Sequence, residues 1–172
     1  VNVLASHHGF TLLGGQPYAI LLKAIRDVVH EKTGTDDIRL RAGVGMRFRE
    51  TEEYIKRYEL DKHYGPGKTK GVAPVDEGIP IETEVGTLYG IKAIYDADWI
   101  IHAHHTDVRE VHFHRQIDKA VKPFGMSYAR IETRSTYHQN LGPRAANFTA
   151  RAIFESKFVQ SKFAFGAFLN VG

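Results

Sequence analysis

Residues 1–34 read as strand, loop and helix in immediate succession, and that order is the strongest constraint on what this chain folds into. "VNVLAS" is a short apolar run rich in β-branched residues, and "HHGFTLLGGQP" breaks it. Leu21, Ala24, Ile25, Val28 and Val29 then recur at helical spacing. Pro17 suits a first helical turn and Gly34 a stop, which predicts a helix over Pro17–Lys32.

The alternation continues. "DIRLRAGVG" reads as a second strand, "ETEEYIKRYEL" as a charged helix, and "HYGPGKTKGVAPVDEGIP" as a loop rich in Gly, Pro and Lys. "IPIETEVG" has a strand pattern, "LYGIKAIYDA" is a short element, and "DWIIHA" is a buried strand. A helix over "REVHFHRQIDKAV", the segment "MSYARIET", a helix over "GPRAANFTARAIFESKFV" and a last strand in "FAFGAFLNV" complete the chain. Strands separated by helices predict an α/β layered sandwich with a largely parallel sheet, a Rossmann-like domain spanning 1–172. With 172 residues, 42% apolar and 25% charged, the chain is long enough for one domain with a sizeable core. It starts in a strand without Met and stops just after another, so an excerpt of a longer, two-domain chain is expected.

Absences narrow the chemistry. The sequence has no cysteine, which excludes disulfides, thiolate nucleophiles and Cys-ligated metals, and a cytoplasmic setting is expected. No apolar run approaches the roughly 20 residues of a membrane span, and no signal-peptide pattern opens the chain. The net charge of +3 is unevenly placed: residues 109–172 hold ten Lys/Arg against four Asp/Glu. A basic segment suits a small carboxylate or phosphate ligand, whereas the scattered charges match no nucleic-acid module. "GPGKTKG" contains the GKT of a phosphate loop, but position 62, five residues before its Gly67, is Lys62 where that loop needs Gly, and "GVGMRF" has Phe48 at the third glycine of a dinucleotide fingerprint, so both motifs fail.

The segment "HAHHTDVREVHFH", residues 102–114, holds five of the ten histidines. His102 and His104 share one side of an extended segment, and with Asp107 they form a candidate ligand set for zinc, manganese or iron. Imidazoles solvated or hydrogen-bonded at a strand end are the plainer reading of the same residues. If "REVHFHRQIDK" is helical, Arg109, His112, Gln116 and Lys119 fall on one polar, partly cationic face. A helix just past the carboxyl end of a parallel strand is where ligands usually sit in such sheets.

Several segments, in order, resemble the N-terminal domain of the nickel-dependent lactate racemases and their α-hydroxyacid racemase relatives. "LASHHGFT" resembles that family's strand-end motif T-H-R-P-x-T, and "YIKRYELDKHYG" the segment leading to its N-H-D. "GIPIETEV" followed by "YDADWIIHAHH" resembles its G-x-P-V-x-V-N and A-D-L-V-I strands, and "GPRAANFTARAIFESKFVQSKFAFGAFLNVG" its last helix and strand. The resemblance implies a racemase or epimerase of a 2-hydroxy acid, using a nickel-pincer nucleotide and histidine acid/base catalysis beside a second domain of the same chain. It places His7 at one acid/base histidine, Lys119 at the cofactor-bearing lysine and His138 near the nickel-ligating histidine. Arg109 stands at the second acid/base position, His112 one helical turn further on, and Arg109 or Arg134 is the cationic group for the substrate carboxylate. The family's glycine-rich run before the lysine is "HFHRQID" here. Two alternatives stand beside this reading: a divalent-metal hydrolase or lyase using His102, His104 and Asp107, and a non-catalytic anion-binding relative.

Overall fold

The computed structural model describes residues 1–11, 15–43, 50–106, 121–136 and 146–170. Five strands form one parallel sheet: β1 (Asn2–Ser6), β2 (Arg39–Gly43), β3 (Thr69–Val72), β6 (Ile100–Thr106) and β7 (Phe163–Asn170). Their order is β3-β2-β1-β6-β7, with β4 (Gly78–Thr83) and β5 (Gly86–Ile91) in a separate antiparallel hairpin. The layered α/β architecture expected from the alternation is therefore present. All five residues of β1 are buried, as a central strand covered on both faces requires, and its apolar run was the legible sign of that position.

One face of the sheet carries α1 (His7–Thr11), α2 (Gln16–Thr33), α3 (Glu50–Arg57) and α4 (Leu60–Tyr64). Val3, Ala5, Leu40, Ala42 and Ile101 of the sheet bury against Leu22, Ile25, Ile55 and Leu60 of those helices. Each such aliphatic side chain contributes about 1.5–3 kcal/mol when fully withdrawn from water. Gly34 ends α2 in the left-handed conformation at φ 71°, its N–H donating to the His30 carbonyl, so the stop predicted there is where the helix closes.

The opposite face carries α5 (Lys92–Tyr95), α6 (Lys122–Gly125), α7 (Ile131–Ser135), α8 (Ala146–Glu155) and α9 (Lys157–Gln160). Leu4 and Ile100 pack there with Phe124, Tyr128, Ile153 and Val159, and with Ile81 and Leu88 of the hairpin. β5 also grips the segment after α6: Ile91 N–H donates to the Tyr128 carbonyl at 2.9 Å and Arg130 N–H to the Tyr89 carbonyl at 3.0 Å.

Several element expectations are corrected. β3 lies inside the stretch expected to be a loop; it is a four-residue edge strand whose Lys70 and Gly71 conceal any apolar alternation. The strand expected in "IPIETEVG" is present as β4, but it lies outside the main sheet: after the turn at Gly86, φ 102°, it pairs with β5, and "LYGIKAIYDA" supplies most of β5 and α5. The charged helix after residue 50 divides at Glu59, whose φ of 54° interrupts it between α3 and α4. The helix expected over 142–159 divides at Ser156, which caps α9 by accepting from Val159 N–H. β6 runs on to Thr106, past the end expected at Ala103. The helix expected over 109–121 falls almost wholly outside the described residues.

Candidate functional site

From β1 the chain steps to β2 and β3 on one side, and β6 and β7 lie on the other. The β1/β6 boundary is thus the topological switch point, and the carboxyl ends of these two strands frame the crevice where ligands bind in such sheets. Pairing runs from Asn2↔Ile100 to Ala5↔Ala103. Beyond it the Tyr18 hydroxyl bridges the strands, accepting from Ser6 N–H at 3.1 Å and donating to the Ala103 carbonyl at 2.6 Å. Tyr18 is fully buried, and burial raises its hydroxyl above the ordinary phenol range, so it stays a donor.

His102 and His104 lie on one face of β6, as their spacing predicts, and their ring centroids are 5.5 Å apart. Of the two plain expectations, solvated or hydrogen-bonded, the first is corrected: they are 1% and 2% exposed, and His105 is 2% exposed. The reason is that β7 pairs along β6 as far as Thr106, so the histidines sit inside a sheet rather than past its edge. His104 Nδ1 and Ser6 Oγ approach at 3.3 Å, and His102 Nδ1 and Tyr128 Oη at 2.9 Å. Phe124, Tyr128 and Phe168 all meet the His102 ring edge to face.

Burial, with His104 beside it, holds the His102 imidazole well below its ordinary value of 6.5, and burial pushes the Tyr128 phenol well above its own. Both groups are neutral at pH 7. The sign of the linkage follows: as pH falls through 6.5 the unfolded chain protonates His102 and the folded chain does not, so the unfolded state gains. Stability then drops by about 1.4 kcal/mol per pH unit from this group alone. Urea unfolding of the wild type and His102→Phe at neutral and mildly acidic pH checks this, and the variant is expected to lose stability less steeply.

His7, assigned an acid/base role by resemblance, is the first residue after β1 and opens α1, which puts its backbone at the switch point. Arg134, a candidate for the substrate carboxylate, is buried on α7, where its Nε donates to the Ala129 carbonyl at 2.9 Å. Burial lowers its guanidinium to about 10, which leaves it charged at neutral pH. Asp107, Arg109, His112, Lys119 and His138 lie outside the described residues. Among the described residues no group of three or more His, Asp or Glu is placed to hold a metal ion, and no helix is long and apolar enough to cross a membrane.

Three residues of this site escaped sequence reasoning. Ser6 carried no signal beyond its place before His7. Tyr18 reads as one more apolar position of α2, and Tyr128 sits in "MSYARIET", which has no distinctive pattern; its partner is 26 residues away.

No protein-family model and no curated protein matches the chain. Among solved structures, lactate racemase apoprotein from Thermoanaerobacterium thermosaccharolyticum is similar, with a TM-score of 0.67 at 12% identity. The likeness covers 99% of this chain and 42% of that one, so the chain spans less than half the length of that racemase. At this identity the likeness shows the fold: a lactate-racemase-like arrangement of a parallel sheet between helical layers.

Proposed function

We propose that the chain is the Rossmann-like N-terminal domain of a racemase or epimerase acting on a 2-hydroxy acid or a related hydroxylated carboxylate. The observation that carries this reading is the position of His7, the first residue beyond β1 at the β1/β6 switch point. The fold likeness to a lactate racemase over 99% of the chain supports it.

In this reading His7 takes the proton of the substrate hydroxyl, a task imidazole suits because its ordinary range lies near neutral pH. His112 is the second acid/base group, and Arg109 and Arg134 hold the carboxylate by charge-assisted hydrogen bonds. Lys119 and His138 are the residues that would hold a nickel-pincer nucleotide, which when bound supplies the hydride acceptor. Arg134 keeps its charge at neutral pH, as a carboxylate partner must. Below the crevice, the Tyr18 bridge fixes the ends of β1 and β6, and so the start of α1 that bears His7.

The test is chiral chromatography of single enantiomers of 2-hydroxy acids incubated with full-length protein made in a host that synthesises the cofactor. At least one hydroxy acid is expected to racemise, with loss of the activity in Lys119→Ala and a fall of about a hundredfold or more in His7→Gln. Racemisation that survives Lys119→Ala, or none with the cofactor attached, would overturn the reading.

A further inference from the structure

We propose that His102 and His104 form a chelate for one late first-row divalent transition ion, each imidazole binding through Nε2. The site uses neither Lys119 nor His138 and stands whether or not the racemase reading holds.

Alternate residues of a strand project to the same side, so His-x-His on β6 presents two imidazoles together. Their centroids are 5.5 Å apart with an interplanar angle of 23°. Two imidazoles sharing a tetrahedral ion at about 2.0–2.1 Å from each nitrogen have centroids about 5 Å apart, so the spacing suits one ion, which the two near-parallel rings reach by turning their Nε2 atoms toward each other.

The second observation is what faces the other ring nitrogens. His102 Nδ1 meets the Tyr128 hydroxyl at 2.9 Å and His104 Nδ1 the Ser6 hydroxyl at 3.3 Å. Metal-bound histidines almost always donate their second ring N–H to an oxygen, which sets the tautomer and aims the ligating lone pair. Here both rings have such an oxygen at Nδ1, which directs Nε2 to the ligand role.

The third is a buried ring nitrogen. His102 Nε2 has no hydrogen-bond partner among the described residues, although the side chain is 1% exposed. Buried polar atoms are rarely left so, and a metal bond would satisfy this one. Phe124, Tyr128 and Phe168 meet the ring edge to face; the rings of Phe124 and Phe168 carry no donor for the Nε2 lone pair, and the Tyr128 hydroxyl is engaged at Nδ1.

Imidazole without carboxylate selects zinc, nickel, cobalt or copper over magnesium or calcium.

The probe is Co²⁺, titrated into metal-free full-length protein and read by its visible absorption, with Zn²⁺ competition. One ion per chain is expected, lost in His104→Ala and weakened about ten- to a hundredfold in Tyr128→Phe, which keeps the ring and removes only the hydroxyl. Lys119→Ala is expected to bind as the wild type does, which separates this site from the one in the racemase reading. Uptake that is absent in the wild type, or unchanged in Tyr128→Phe, would overturn the proposal. So would an ion held instead by the more accessible His30 and His63, read as loss on replacing those two. If His104→Ala fails to fold, Tyr128→Phe decides.

Discussion

Gly43→Ala is expected to destabilise the protein by about 3 kcal/mol, the upper end of what overpacking a well-filled interior costs. A Cβ at this position would stand 2.3 Å from the Ser127 carbonyl oxygen, and that neighbour is backbone that no rotamer change can move. Ser127 is itself held in place, because β5 bonds Tyr128 and Arg130 on its far side. The alanine must therefore push the end of β2 and the segment after α6 apart. The midpoint of thermal unfolding should fall by about 9 °C for a chain of this size. The shift also displaces Tyr128 from His102, so the His102 ring resonances should move in an NMR spectrum of the variant. An alanine variant with wild-type stability would mean that the contact between β2 and residue 127 is not made as described.

Tyr18→Phe comes next, at about 3 kcal/mol. The ring stays, so the edge-on contact with Phe10 at 5.1 Å persists and no cavity opens. What goes is the hydroxyl that serves Ser6 N–H and the Ala103 carbonyl at once. Each backbone group left buried without a partner costs about 1–3 kcal/mol. Urea unfolding measures the sum, and hydrogen exchange locates it: the Ser6 amide should exchange faster than in the wild type, with β2 little changed. A loss below about 0.5 kcal/mol would show that the strand ends find partners without Tyr18.

The parts of this fold that the sequence made legible are those where one local signal dominates. β1 is largely apolar because both of its faces are covered, and α2 lies where the spacing predicts a helix; its buried stripe is Tyr18, Ala19, Leu22, Ile25 and Val29, so of the expected set only Ile25 and Val29 are buried and Val28 faces water. The parts it concealed depend on partners far along the chain. Nothing in "TKGV" announces β3, since an edge strand in a parallel sheet is held by backbone bonds to β2 and needs no apolar face. Glu59 carries no helix-breaking letter, yet it divides α3 from α4 at a positive φ.

The histidines show the same division. Their alternation placed His102 and His104 on one side of a strand, but imidazole reads as polar, so burial beside β7 and under the helical layer was not legible. Tyr128 could not be paired with His102 from sequence, because a hairpin remote from both holds it in place. Ser6 gains meaning only once β6 is known to lie beside β1.

The central claim is that the switch point serves a racemase-type site, and intact mass with metal analysis tests it most directly. Full-length protein from a host that makes the nickel-pincer nucleotide is expected to carry a nickel-containing nucleotide adduct that peptide mapping places on Lys119. An unmodified chain from that host would contradict the claim, whether it holds another metal or none.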